Sequence, residues 1–113
     1  VTVRNLKLYI DGAFVDAENG QTYQSINPAN GEVIAVAPWA GVRDAARAVE
    51  AARRAFDEGP WPRMSASERK SLLDRLADKL KERQDDFALM ETEDAGALAA
   101  KAKTDVALCV SQL

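Results

Sequence analysis

Ile26-Asn27-Pro28-Ala29-Asn30-Gly31-Glu32-Val33-Ile34 is the stretch on which the reading of the first third of this 113-residue chain turns. Pro28 fixes its own φ, has no amide proton to give to a strand ladder, and pushes Asn27 out of the α region. Residues 27–31 are therefore expected to be a rigid turn rather than strand. Thr22–Ile26 reads as a strand before it and residues 33–37 as a strand after it, closed by Pro38. Working towards the start, Asn19-Gly20 marks another turn. Leu6, Leu8 and Ile10 alternate with Lys7 and Tyr9, and Asp11-Gly12 is a tight-hairpin dipeptide from which Ala13–Val15 returns antiparallel.

Past Gly41 the pattern changes from turns and β-branched residues to Ala, Leu and alternating charges. Ala45, Val49, Ala52 and Phe56 recur at spacings of three and four, which predicts a helix stopped by Gly59-Pro60. Ser65-Ala66-Ser67-Glu68 is a capping box that starts a second helix. Leu72, Leu73, Leu76, Leu80 and Phe87 continue one stripe towards a stop at Asp94-Ala95-Gly96. A last helix from about Leu98 carries Ala102, Val106, Cys109 and Leu113 along one face, with Cys109 expected to pack in a core. The expected organisation is residues 1–40 as β-hairpins and residues 41–113 as helices. Val110-Ser111-Gln112-Leu113 has no Gly, Pro or basic last turn, so the expectation is of a face that continues in a longer polypeptide.

Composition narrows the function. Apolar residues make up 47% of the chain, but 21 of them are Ala, so little large side-chain area is available for a core. A net charge of -3 with both signs interspersed gives no basic stripe for nucleic acid. No run approaches the roughly 20 apolar residues that span a bilayer, and the opening residues lack a secretory pattern. One Cys permits no internal disulfide, which fits a reducing, cytoplasmic setting. With no His, Ser-His-Asp and Cys-His catalysis and the usual zinc sets other than carboxylate ones are excluded. Glycines at 12, 20, 31, 41, 59 and 96 form neither a phosphate loop nor a dinucleotide fingerprint. Glu91, Glu93 and Asp94 read as a solvated helix end. Asp105, at the margin of the last helix's apolar face, calls for a partner; an ion pair with Lys101 one turn earlier, backbone amides and a bound cation are all open.

Leu8-Tyr9-Ile10-Asp11-Gly12 and the stretch from Ile26 to Ile34 resemble the opening of the NAD(P)-dependent aldehyde dehydrogenase superfamily, and the later segments agree in order. Asp44-Ala45-Ala46-Arg47-Ala48-Val49-Glu50-Ala51-Ala52-Arg53-Arg54-Ala55-Phe56 is similar to that family's first helix, and Trp61 with residues 65–80 to its second. One departure is visible: after Gly96 the family usually has Lys-Pro, where this chain has Ala97 and Leu98.

The resemblance implies an α/β parent enzyme. This chain would be an α+β N-terminal portion of its cofactor-binding domain, with antiparallel β-hairpins followed by three to four α-helices. It implies oxidation of aldehydes to carboxylic acids: a thiolate adds to the aldehyde, hydride passes to NAD or NADP, and water activated by a Glu hydrolyses the thioester. The nucleophilic Cys, the Glu and the nucleotide-binding residues would lie outside these positions. No catalytic or nucleotide-binding residue is therefore assigned here, and Cys109 does not match the catalytic motif. By the same kinship the partners are an aldehyde, a nicotinamide nucleotide, the rest of the enzyme and further copies in a dimer or tetramer, with no nucleic acid and no membrane. Some members hold a structural Na or K ion on backbone carbonyls and a carboxylate, and the matching positions are Ser25, Ile26 and Asp105. The contrasting expectation is a non-catalytic remnant that folds by self-association or on a partner chain.

Overall fold

The computed structural model describes residues 2–113, which form two compact units. The first holds the described residues up to Ile26 together with Val33–Arg63; the second holds Asn27–Glu32 and Met64–Leu113. The first helix groups with the strands, and the Asn-Pro turn with the later helices. No helix among the described residues is long and apolar enough to cross a membrane.

In the first unit, β2 (Leu8–Ile10) and β3 (Ala13–Val15) form the expected hairpin, with Tyr9 opposite Phe14 and their rings 5.0 Å apart. Asp11 and Gly12 both have positive φ, 53° and 76°, the mirror-image turn whose twist suits two strands joined by two residues. A separate sheet has the order β1-β5-β4, from β1 (Arg4–Asn5), β5 (Val33–Pro38) and β4 (Thr22–Ile26). β4 pairs antiparallel with β5, as expected. β1 pairs parallel with it, Arg4 beside Ala35, which hairpin logic alone does not foresee.

Leu6 accounts for that difference. Its amide donates to the Val36 carbonyl at 2.9 Å, so the alternating run from Leu6 to Ile10 is shared between two sheets. β5 is the central strand and buries Ile34, Ala35 and Ala37, so both of its edges need ladder partners. Residues 4–6 supply the second edge. The β4 ladder slips between Ser25 and Ile26, since Ser25 faces Ala35 and Ile26 faces Val33, leaving Ile34 as the extra residue of a bulge.

The first helix, α1 (Val42–Glu58), stops at Gly59, where a Cβ would lie 2.2 Å from the Ala55 carbonyl oxygen. Its last turn has no basic residue. Arg63, from the short 3-10 turn Trp61–Arg63, supplies one instead and donates to the carbonyls of Glu58 (2.8 Å) and Gly59 (2.9 Å). The stripe of Ala45, Val49, Ala52 and Phe56 is open, with Val49 67% and Phe56 63% exposed.

In the second unit, the turn is built as its composition requires. The Asn27 side chain accepts from the Ala29 amide at 2.9 Å, and Gly31, at φ 75°, returns its amide to the Asn27 carbonyl at 2.8 Å. α2 (Ala66–Glu82) opens on the predicted capping box, the Ser65 amide donating to Glu68 at 2.7 Å and the Glu68 amide to the Ser65 hydroxyl at 3.3 Å. These contacts, the Ser65 hydroxyl first and then its amide, hold the Glu68 carboxyl below its ordinary pKa.

The leucine stripe is not one helix to residue 94. Arg83, at φ -112° and ψ 20°, ends α2, and α3 (Gln84–Ala95) starts anew. No Gly or Pro announces this break. The Arg83 amide turns back to the Leu80 carbonyl in a tightened last turn, and Asp85 and Asp86 lie in the first turn of α3, where the helix dipole favours anions. Gly96 caps α3 at φ 70° and packs against Pro28, whose Cγ would be 3.0 Å from an added Cβ. α4 (Ala99–Ser111) lies against α3 and α2 with Ala102 fully buried. Cys109 is exposed rather than packed in a core: Ala102, two turns earlier on the same side of α4, is buried against the neighbouring helices, and that burial does not extend to Cys109.

Candidate functional site

Ser25 and Ile26 end the β4 strand in the first unit, at the bulge, where Ser25 is half-buried and Ile26 52% exposed. A bulge interrupts the ladder and re-aims backbone groups, which is the local condition under which a strand carbonyl can serve a ligand. Asp105 belongs to α4 in the second unit and is half-buried. Its carboxylate takes a short hydrogen-bonded ion pair from the Lys101 ammonium at i,i+4. The Asp105 hydrogen bond and charge hold Lys101 above its ordinary pKa against an opposing desolvation, with Glu91 adding the least. The ion-pair reading of Asp105 is thus realised in the fold. Oxygen donors with one formal negative charge suit a hard monovalent cation. No group of three or more His, Cys, Asp or Glu that could hold a metal ion occurs among the described residues.

The glycines serve backbone geometry. Gly12, Gly20 and Gly31 sit at turns with positive φ, and Gly41, Gly59 and Gly96 cap helices. At the end of α3, Glu91 and Asp94 are exposed and Glu93 is half-buried, and Cys109 lies exposed near the end of α4.

One polar cluster is not visible from sequence spacing. Asp44, 2% exposed, sits at the third position of α1 and accepts from the Gly41 amide at 3.0 Å and from the Glu18 amide at 3.2 and 3.3 Å. Arg47 stands 3.7 Å away, and Arg43 pairs with the Glu18 carboxylate at 3.0 Å. Asp44 thereby satisfies the helix's first donor and ties the turn at residues 17–20 to the start of α1. An acidic residue three positions after Gly41 is the one local signal of such a cap. The contact to Glu18, 26 residues earlier, has none. The donors around Asp44 are backbone amides and a nearby Arg, so the cluster works as a clamp.

The model of the aldehyde dehydrogenase family matches residues 14–113. A mitochondrial benzaldehyde dehydrogenase of Antirrhinum majus is 47% identical over 96 residues, which is 85% of this chain and 18% of that protein. Among solved structures, an NAD-dependent aldehyde dehydrogenase from Sinorhizobium meliloti superposes with a TM-score of 0.94 at 39% identity, over 97% of this chain and 22% of the other. An NAD+ complex of a Bacillus cereus aldehyde dehydrogenase superposes with a TM-score of 0.90 at 38% identity, over 95% and 22%. The chain spans about a fifth of the length of these proteins.

Proposed function

This chain belongs to the aldehyde dehydrogenase family, and from that premise we propose that it is the N-terminal scaffold of an enzyme that oxidises aldehydes to carboxylic acids. The observation that carries the reading is the match over residues 14–113 to enzymes several times longer. The open apolar stripe of α1 supports it, since a face bearing Val49 and Phe56 gains burial energy only against a larger body. When bound, NAD or NADP would supply the hydride acceptor; no residue of this chain is assigned to it. These residues instead hold backbone geometry: Asp44 and Arg63 close the two ends of α1, and Ser65 with Glu68 starts α2. The test is nucleotide reduction with a panel of aldehydes. The 113-residue chain alone should give none, and a longer polypeptide containing it should turn over. Turnover by the chain alone, or none by the longer protein, refutes the proposal.

The same kinship supports a structural Na or K ion held by the Ser25 and Ile26 carbonyls and the Asp105 carboxylate. The donor chemistry fits, because the three groups are hard oxygens and the one carboxylate supplies one charge. Melting of the longer protein in sodium or potassium chloride should exceed that in choline chloride at equal ionic strength, and Asp105→Asn should remove the difference. Equal melting in all three salts sinks this assignment.

A further inference from the structure

We draw no further inference here: the strongest candidate, the open apolar stripe of Val42, Val49 and Phe56 along α1, already belongs to the proposed scaffold, and nothing in the structure shows what covers it.

Discussion

Replacing Asp44 with Ala should be among the most damaging single changes in the first unit. The carboxylate is 2% exposed and accepts from two backbone amides, Gly41 at 3.0 Å and Glu18 at 3.2 to 3.3 Å. A buried donor left unsatisfied costs about 1–3 kcal/mol, and loss of a helix N-terminal acceptor about 0.5–2 kcal/mol. Glu18 is exposed and Gly41 half-buried, so water can reach part of what is vacated, which places Asp44→Ala at roughly 2–3 kcal/mol. Asp44→Asn keeps one acceptor oxygen and should cost about half as much. Arg47→Ala should stay within about 0.5 kcal/mol, because Arg47 is half exposed and 3.7 Å away. Urea unfolding followed by circular dichroism measures all three. Asp44→Ala within about 0.5 kcal/mol of the parent, or Arg47→Ala as damaging as Asp44→Ala, would refute the clamp and make the cluster an ordinary surface ion pair.

Gly59→Ala should destabilise by more than about 1 kcal/mol, because its Cβ would sit 2.2 Å from a backbone oxygen of α1; unfolding midpoints that match the parent would show that the cap yields easily. The two shifted groups act at opposite ends of the pH scale. Glu68 is lowered in the fold, so its contribution is present above the unfolded value of about 4.3 and is lost as pH falls through the folded value. Lys101 is raised, so its contribution is full below about 10.4 and is lost as pH rises through the folded value. Melting followed against pH should lose part of its acid slope in Glu68→Gln and part of its alkaline slope in Lys101→Met; unchanged slopes would mean that neither bond persists in solution.

Much of the local structure was legible because its causes lie within a few residues. The Asp11-Gly12 hairpin, the Asn27-Pro28 turn, the Ser65 to Glu68 box and the stops at Gly59 and Gly96 all arise from φ restrictions and short hydrogen-bonded rings. The break at Arg83 was not legible, since no residue there forbids a helix and the acidic pair that favours a new start reads equally well as a solvated face. Of the candidate cation positions, Asp105 was marked by its place at the margin of an apolar helix face, whereas Ser25 and Ile26 came from kinship alone. Ser25 and Ile26 would act through carbonyls, which carry no side-chain signature.

The sequence by itself determined where the chain turns, where α1, α2 and α4 begin, and which family it belongs to, because turn chemistry, capping and residue order are written along the chain. Tertiary structure alone decided that Arg4 and Asn5 lie parallel to β5, that Asp44 is buried against the Glu18 amide, and that Val49, Phe56 and Cys109 face outward. Periodicity identifies an apolar face. Whether that face is buried depends on the mass lying opposite it, and here Val49 and Phe56 of α1 and Cys109 of α4 are left exposed.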